Sequence, residues 1–325
     1  MIDWQSKLRQ AIRNPVHLLE LLELSNLEYS TNNSFNLLVP MGYVKRMRKG
    51  DPNDPLLRQI LPLPKENQKS VQFSNDPVGD LAAEKIPGLL QKYQGRVLLI
   101  LTTACAIHCR YCFRQHTKFS TPKYQAILNN IKTDSSITEV ILSGGDPLIL
   151  PDDYLDNLIN SIANISHVKR LRIHTRLPIV LPERINSKLL TCLTNNRLQT
   201  VMVVHANHAN EIDDNVKQAL QNLITSGITV LNQSVLLYGI NDNITALTNL
   251  SETLFNCRVL PYYLHLLDRV QGAAHFEVKE NKAMQLLEQM RIQLPGYLVP
   301  KMVREVSGMP YKQPFESIVK LPLMK

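Results

Sequence analysis

From Arg96 onward, short apolar segments alternate with segments of helical periodicity, and this alternation is the strongest constraint on the fold. The apolar runs are VLLILT at 97–102, TEVIL at 138–142, RLRIH at 170–174, TVMVVH at 200–205, ITVLNQSVLL at 228–237 and RVLPYYLHLL at 258–267. Helical patterns such as Tyr154 to Ile162 and Asn215 to Thr225 separate them. Short buried strands that alternate with helices are typical of parallel β/α folds. The sequence therefore predicts an α/β fold, an incomplete (β/α)6 TIM-like barrel.

The residues before this alternation are predicted to form a different part of the chain. We expect residues 1–90 to be an N-terminal helical lead-in, and residues 91–325 to hold the barrel and a C-terminal segment. Trp4 to Leu24 has helical periodicity, which Pro15 is expected to divide into two helices. Residues 50–68 are rich in Pro, Asp and Asn and are predicted to be loop.

Three cysteines follow the first predicted strand with the spacing C-x3-C-x2-C: Cys105, Cys109 and Cys112. A [4Fe–4S] cluster normally takes four cysteines, so three leave one iron open to a ligand that is not protein. An open iron is what the binding and reductive cleavage of S-adenosylmethionine requires. A zinc site is the alternative, but zinc sites usually pair two C-x2-C units or add nearby His, and Cys192 and Cys257 are isolated.

Composition excludes several classes of protein. The net charge is +8, but Lys and Arg are scattered and the one basic run, residues 45–49, is short, so no nucleic-acid partner is predicted. No apolar stretch reaches about 18 residues, so no membrane span is predicted. The start of the sequence lacks the pattern of a signal peptide. Together with free cysteines and an oxygen-sensitive cluster, this favours a reducing cytoplasm.

A glycine-rich segment follows the second predicted strand, at residues 143–147 (SGGDP). Its glycines allow the backbone to approach a ligand closely, and its carbonyl groups and carboxylate can hold an ammonium group. Alone, such a segment is usually a turn. Its position after a three-cysteine loop resembles the segment that binds the methionine amino group in radical S-adenosylmethionine enzymes. Like His205, Gln233 and Asp268, it lies in or after a predicted strand, and in β/α barrels the carboxyl ends of the strands carry the chemistry.

From about residue 35 to about residue 316, the chain resembles the lysine 2,3-aminomutase family of radical S-adenosylmethionine enzymes. The motifs that carry the resemblance are CRYCFR at 109–114, SGGDP at 143–147, NHANEI at 207–212, NQSVLL at 232–237 and PYYLH at 261–265. The resemblance implies a barrel of the radical S-adenosylmethionine type and the isomerisation of (S)-α-lysine to (R)-β-lysine. It also implies pyridoxal 5′-phosphate as a further cofactor. In the implied reaction, a 5′-deoxyadenosyl radical removes hydrogen from Cβ of lysine held on pyridoxal phosphate.

The resemblance also implies roles for individual residues. Lys312 would form the Schiff base with pyridoxal phosphate, which Tyr93 and Arg96 would also contact. The implied S-adenosylmethionine contacts are Ser143, Gly144, Gly145, Asp146, Arg176, His205 and Gln233. For the substrate, Arg114 would bind the carboxylate, and Asp268 and Glu305 the ε-ammonium group. Without the resemblance, Lys312 would be interpreted as a solvated side chain.

Two departures from the family pattern affect the expected role. Glu305 stands where the catabolic enzymes have Asp, and only Gly308 remains of the glycine-rich stretch before the Schiff-base lysine. The catabolic enzymes also carry zinc-binding cysteines beyond that lysine, whereas this sequence has no cysteine after Cys257, so no interface zinc is expected.

Within the family, the chain most resembles a short bacterial branch. The β-lysine made by that branch is attached to elongation factor P by a partner ligase. A reductant protein of the flavodoxin or ferredoxin type is a further expected partner. Two alternatives remain open at this point. One is a catabolic lysine 2,3-aminomutase, and the other is a non-catalytic zinc-binding interaction protein.

Overall fold

The computed structural model describes residues 3–31 and 35–316. Within these residues, ten strands form one sheet in which neighbours in the sequence are also neighbours in space. The strands are β1 (Glu84–Ile86), β2 (Leu89–Tyr93), β3 (Arg96–Thr102), β4 (Glu139–Gly144), β5 (Arg170–Thr175), β6 (Gln199–His205), β7 (Thr229–Leu236), β8 (Leu260–Leu266), β9 (Lys301–Arg304) and β10 (Gln313–Pro314).

The strands from β3 to β9 are parallel and form the wall of the barrel. Strands β3 to β8 are the six that the sequence predicts, so the expected β/α barrel is confirmed. Strand β9 was not predicted, because its four residues, KMVR, begin and end with a charged side chain. Strands β1, β2 and β10 add antiparallel pairs at the two edges. Among the described strands, β1 and β10 do not pair, so the barrel remains open along one seam.

Helices cover the outside of this sheet and form the start of the chain. In the described residues they are α1 (Trp4–Arg9), α2 (Pro15–Leu21), α3 (Met41–Val44), α4 (Tyr124–Thr133), α5 (Asp152–Ala163), α6 (Leu177–Val180), α7 (Ser187–Thr194), α8 (Asp214–Thr225), α9 (Ile244–Asn256) and α10 (Glu280–Gln293). The expected division at Pro15 is confirmed, because Asn14 caps α2 by accepting from the Val16 N–H at 2.9 Å. No described helix is long and apolar enough to cross a membrane.

Side chains along each strand point alternately to the outer face, which packs against the helices, and to the interior of the barrel. On β7, Val230 and Leu236 are buried on the side facing the helices, whereas Gln233 and Val235 line a cavity inside the barrel. On β5, Leu171 and Ile173 are buried in the same way. Because side chains of a strand point alternately to its two faces, the inner face can carry polar groups while the outer face builds the core.

The lead-in packs directly against the barrel. Trp4, Leu56 and Leu57 belong to the same hydrophobic cluster as Leu99 and Val140 of the barrel. The boundary expected after residue 90 falls within β2, which pairs with β3. The two predicted parts therefore share one core, and the lead-in is placed to hold elements of the barrel in position.

Candidate active site

All of the site residues expected from the sequence line one cavity of about 980 Å³ inside the open barrel. The cysteine loop and the glycine-rich segment form one part of its wall. Strands β2 and β9, which flank the open seam on its two sides, form another. The expected cluster, cofactor and substrate residues are therefore neighbours in space, although Tyr93 and Lys312 lie far apart in the sequence.

The loop that carries the three cysteines is fixed by the lead-in. Arg110, inside the loop, is fully buried, pairs with the Glu66 carboxylate and donates to the Phe35 carbonyl at 2.5 Å. The Arg110 backbone N–H donates to the Gln59 carbonyl at 2.9 Å, and the His108 N–H donates to the Leu38 carbonyl at 3.0 Å. These contacts from a second part of the chain keep the loop in place over the end of β3.

The three thiols lie close enough to oppose each other's ionisation. Burial raises the pKa of the Cys112 thiol to about 11, and the nearby Cys109 adds to this effect. Burial, followed by the charge of Cys112, raises the pKa of Cys105 well above its usual range. A bound metal centre supplies the positive charge that such thiolates need.

The three cysteines line the same large cavity. In residues 3–31 and 35–316, no group of three His, Cys, Asp or Glu side chains is arranged to hold one metal ion. A zinc site brings its sulfur ligands to about 2.3 Å from one ion. A [4Fe–4S] cube binds each cysteine through a different iron, so its sulfurs stand further apart. The cavity of about 980 Å³ beside the three cysteines leaves room for a cube.

Arg176 links this loop to a buried polar network that the sequence analysis missed. Its Nη1 donates to the Cys109 Sγ at 2.6 Å, and its Nη2 donates to Gln59 Oε1 at 2.6 Å and to Glu211 Oε2 at 2.9 Å. Glu211 and Gln59 are both fully buried. Glu211 lies in the NHANEI motif, which pointed to this region without giving the acid a role.

The glycine-rich segment packs tightly against the cysteine loop. Gly144 has φ +118°, and a Cβ added there would lie 2.5 Å from the Thr102 carbonyl oxygen. A Cβ added to Gly145 would overlap the backbone of Ala104. The two glycines are therefore required by close contact with the chain just before the first cysteine, whether or not a ligand is present.

The Asp146 carboxylate points into the protein. It accepts from Thr175 Oγ1 at 2.7 Å, from the Arg176 N–H at 2.7 Å and from the Leu148 N–H at 3.1 Å. Burial raises its pKa to about 6, although these hydrogen bonds oppose the rise. In this arrangement the Asp146 side chain fixes the loop.

His205 and Gln233 stand side by side on β6 and β7, where they are paired in register. The Tyr111 hydroxyl lies 3.1 Å from His205 Nε2, and the two rings stack with centroids 5.7 Å apart. Burial lowers the pKa of His205 to about 3, helped by the nearby Arg176 charge, so the ring is neutral. Both side chains line the cavity next to the cysteine loop.

The residues expected to bind pyridoxal phosphate meet at the open seam. The Tyr93 hydroxyl, on β2, donates to Glu305 Oε1 at 2.7 Å, just after β9. Lys312 Nζ pairs with Glu305 Oε2. The Arg96 guanidinium carbon lies 4.8 Å from the centroid of the Tyr93 ring. Although burial alone would raise it, the Lys312 charge and these hydrogen bonds lower the pKa of Glu305.

Asp80 and Lys92 extend this cluster and were also missed from the sequence. Asp80 is fully buried, and its carboxylate accepts from Arg114 Nε at 2.7 Å and from Lys92 Nζ at 2.7 Å. Lys92 Nζ also lies 3.6 Å from Glu305 Oε1. A chain of alternating charges thus connects Arg114, expected at one end of the substrate, with Glu305 and Lys312 at the other.

Asp268 completes the acids at this end of the cavity. Burial raises its pKa to about 7, while the Lys312 charge lowers it and Glu305 raises it again. The carboxyl group therefore changes its charge near neutral pH. A cation bound beside it would favour the ionised form.

The fold and the three-cysteine loop together indicate an iron–sulfur protein. Residues 93–176 match the model of the 4Fe–4S single cluster domain. The crystal structure of Streptococcus suis SuiB bound to S-adenosylmethionine has the same type of fold, with a TM-score of 0.50 and 14% identity. The match covers 70% of this chain and 54% of that one.

Curated relatives identify the family within this class. L-lysine 2,3-aminomutase of Escherichia coli K12 is 44% identical over 324 residues, covering 97% of this chain and 94% of that protein. The enzyme of the same name from Buchnera aphidicola is 47% identical, covering 94% and 93%. That of Clostridium subterminale is 32% identical and covers 94% of this chain and 76% of its own length. The chain belongs to the L-lysine 2,3-aminomutase family and is an isomerase, which excludes the non-catalytic zinc-binding alternative.

Proposed function

We propose that this chain converts (S)-α-lysine to (R)-β-lysine with the cluster, S-adenosylmethionine and pyridoxal phosphate acting in one cavity. The observation that carries the proposal is the meeting of two sites in that cavity. The cysteine loop lies on one side, and Lys312, Glu305 and Tyr93 lie together at the seam. An isomerase that moves an amino group by radical chemistry needs a radical source and an amine-binding cofactor within reach of one substrate.

The cysteine side has the groups that a cluster with one open iron requires. Cys105, Cys109 and Cys112 would hold three irons of the cube. Arg176 Nε is buried and has no hydrogen-bond partner in the described residues, so one donor remains for the carboxylate of S-adenosylmethionine. When bound, the cluster and S-adenosylmethionine supply the carbon radical that removes hydrogen from Cβ of the substrate. His205, which is neutral, and Gln233 would line the pocket without adding charge.

The seam has the groups that pyridoxal phosphate requires. Lys312 carries a primary amine at the cavity wall, about a quarter exposed, that can join the cofactor covalently. Arg96 offers a cation for the phosphate beside the Tyr93 ring, which offers an aromatic surface for the pyridine ring. When bound, this cofactor holds the substrate nitrogen and delocalises the unpaired electron while the nitrogen moves between carbons.

The charges at the seam select a substrate with a distant ammonium group. In the described structure, Lys312 supplies the cation that neutralises Glu305. When the Lys312 nitrogen is engaged by the cofactor, the buried Glu305 carboxylate keeps only Lys92, which lies 3.6 Å away and is shared with Asp80, so a further cation would stabilise it. The ε-ammonium of lysine supplies it, with Asp268 as a second acid. At the other end, Arg114 Nη1 donates to Ser143 Oγ and to the Gly144 carbonyl, and Arg114 Nε donates to Asp80. These contacts would orient the guanidinium group toward the substrate carboxylate.

We further propose that the β-lysine serves the modification of elongation factor P, through the partner ligase that attaches it. The chain is more similar to the relatives that it matches over nearly their whole length than to the longer clostridial enzyme. Glu305 in place of Asp also separates it from the catabolic pattern. A flavodoxin- or ferredoxin-type protein would provide the electron.

The activity is tested by anaerobic incubation of the reconstituted protein with (S)-α-lysine, S-adenosylmethionine, pyridoxal phosphate and dithionite, followed by chiral chromatography. The expected product is (R)-β-lysine. A reaction that cleaves S-adenosylmethionine but leaves lysine unchanged would contradict the proposed substrate.

The biological role is tested in a strain that lacks the gene. Elongation factor P from that strain should lack the mass of β-lysine on its modified lysine, and added (R)-β-lysine should restore it. If the modification persists and growth on lysine fails instead, the enzyme is catabolic.

A further inference from the structure

Arg176 forms an unusual contact for a barrel arginine, because its guanidinium group donates to a cysteine sulfur. Nη1 lies 2.6 Å from the Sγ of Cys109, the middle cysteine of the loop. Arg176 itself is buried at the end of β5. A buried cation in direct contact with a sulfur ligand of an iron–sulfur cluster affects the charge of that cluster at short range.

A rigid set of partners holds the guanidinium in this position. Nη2 donates to Glu211 Oε2, to Gln59 Oε1 and, at 3.2 Å, to the Tyr43 hydroxyl. Tyr43, Gln59 and Glu211 are all fully buried. Both terminal nitrogens therefore have protein partners, and Nε is the guanidinium nitrogen without one in the described chain.

Glu211 is held as firmly as the arginine. Its Oε1 accepts from the Asn207 N–H at 2.8 Å, from the His208 N–H at 3.1 Å and from Gln59 Nε2 at 3.1 Å. Burial alone would raise its pKa, but the Arg176 charge and these hydrogen bonds lower it. The acid is therefore a fixed negative charge on the side of Arg176 away from Cys109.

The reduction of an iron–sulfur cluster adds one negative charge to it. A hydrogen bond from a cation to a cysteine sulfur stabilises the more negative, reduced form and raises the reduction potential. A carboxylate placed behind the cation offsets part of this effect. The two side chains therefore shift the potential in opposite directions, and their balance sets how easily the cluster accepts the electron.

We propose that Arg176 and Glu211 form a positioning pair that tunes the reduction potential of the cluster through Cys109. Arg176 stabilises the reduced cluster, and Glu211 orients Arg176 and limits its charge. The proposal rests on the proposed role of Cys109 as a cluster ligand. It leaves Nε of Arg176 for S-adenosylmethionine and assigns the terminal nitrogens to the protein.

The test compares four variants with the wild type, without S-adenosylmethionine. Arg176→Met removes the cation, Arg176→Lys keeps a cation, and Glu211→Gln removes the acid. Arg184→Met is the matched control, because Arg184 is also a fully buried arginine but pairs with Asp152 and donates to the Leu148 carbonyl. Iron and sulfide are measured for each variant. The midpoint potential of the cluster is determined by a redox titration that is monitored by electron paramagnetic resonance.

We expect Arg176→Met to lower the midpoint potential. At the wild-type midpoint, the ratio of reduced to oxidised cluster should fall by roughly threefold to tenfold, tenfold being about 59 mV for one electron. Arg176→Lys should lie between Arg176→Met and the wild type. Glu211→Gln should raise the midpoint, and Arg184→Met should leave it unchanged. Shifts of the midpoint potential in opposite directions for Arg176→Met and Glu211→Gln would distinguish tuning from a general loss of packing.

If the wild type has a normal cluster but the midpoint potentials of Arg176→Met and Glu211→Gln are unchanged, the proposed tuning by Arg176 and Glu211 is overturned. The proposed function is not affected by that result. If Arg176→Met loses its iron, Glu211→Gln decides, since a raised midpoint supports the pair and an unchanged one overturns it. A reconstituted wild type without a [4Fe–4S] signal would overturn the proposed function as well.

Discussion

The two polar regions of the cavity are built on opposite plans. Around the cysteine loop, Arg176, Glu211 and Gln59 are buried, and most of their polar atoms are bonded to the protein itself. At the seam, Lys312 is partly exposed and its main partner, Glu305, sits on the opposite edge of the open sheet from Tyr93. The first region is fixed before any ligand arrives. In the second, an ion pair can exchange one ammonium group for another.

Under the proposed function, the two regions have distinct physical tasks. A cluster that transfers an electron benefits from fixed dipoles and charges, because a rigid environment sets its potential. A site that takes up a cofactor and then a substrate benefits from ion pairs that can be replaced without leaving a buried charge alone. Substitutions around the cysteine loop should therefore affect the cluster, whereas substitutions at the seam should affect the binding of pyridoxal phosphate and substrate.

The largest effect is expected from Cys109→Ala. The protein should fold, since Arg110 still anchors the loop, but it should lose most of its iron and all cleavage of S-adenosylmethionine. Iron analysis and product detection measure this. Cys192→Ala is the matched control, because Cys192 is buried in α7 and does not line the cavity. Full iron and activity in Cys109→Ala would show that the cluster is held elsewhere.

The next largest effect is expected from Lys312→Ala, and it should be confined to the seam. The absorbance of covalently bound pyridoxal phosphate should disappear and turnover should fall roughly 10³-fold or more, because the anchoring amine is lost. The iron–sulfur spectrum should be unchanged. Lys279→Ala, at an exposed lysine outside the cavity, is the control and should retain both the pyridoxal phosphate absorbance and the turnover. An unchanged cofactor band in Lys312→Ala would assign the attachment to another lysine.

A smaller effect is expected from Asp268→Asn and from Glu305→Gln. Each removes one proposed partner of the ε-ammonium, at an expected cost of about 2–5 kcal/mol in substrate binding. The KM for lysine should rise by about 30-fold or more, since each 1.4 kcal/mol is about tenfold. Glu280→Gln, which removes an exposed acid paired with Arg304, serves as the control. Wild-type kinetics in both cavity variants would mean that the ammonium binds elsewhere.

The smallest effect is expected from pH. The pKa of Asp268 is raised to about 7 by burial, with Lys312 and Lys92 lowering it and Glu305 and Asp80 raising it. The ionised fraction should then rise from about one tenth at pH 6 to about nine tenths at pH 8. Because the carboxylate form binds the ammonium, the KM for lysine should fall as pH rises across this window. The dependence should be absent in Asp268→Asn, and its persistence there would assign it to another group.

The sequence predicts the fold better than it predicts the contacts of the site. Six apolar runs define β3 to β8, since a buried strand needs a continuous apolar segment. Strand β9 has no such run, and its place depends on pairing with β8. The approach of β2 and β9 across the open seam follows from the curvature of the whole sheet, which no local pattern encodes.

The missed site residues share one property, because their roles depend on partners distant in the sequence. Asp80 lies in a turn, and its role comes from the ion pairs that its carboxylate forms with Arg114 and Lys92. Glu211, after β6, acquires its role from Arg176, which follows β5. The sequence identifies Arg176 as a candidate, but only the structure gives its contact with Cys109.

The central claim is that the cluster side and the seam act on one lysine molecule. It is tested most directly by supplying lysine with deuterium at Cβ, together with S-adenosylmethionine, pyridoxal phosphate and dithionite, and by analysing the products by mass spectrometry. We predict deuterium in 5′-deoxyadenosine together with formation of β-lysine in the wild type, and neither deuterium transfer nor β-lysine in Lys312→Ala. Formation of 5′-deoxyadenosine without deuterium in the wild type would contradict the claim, because the radical would then be reacting with something other than this substrate.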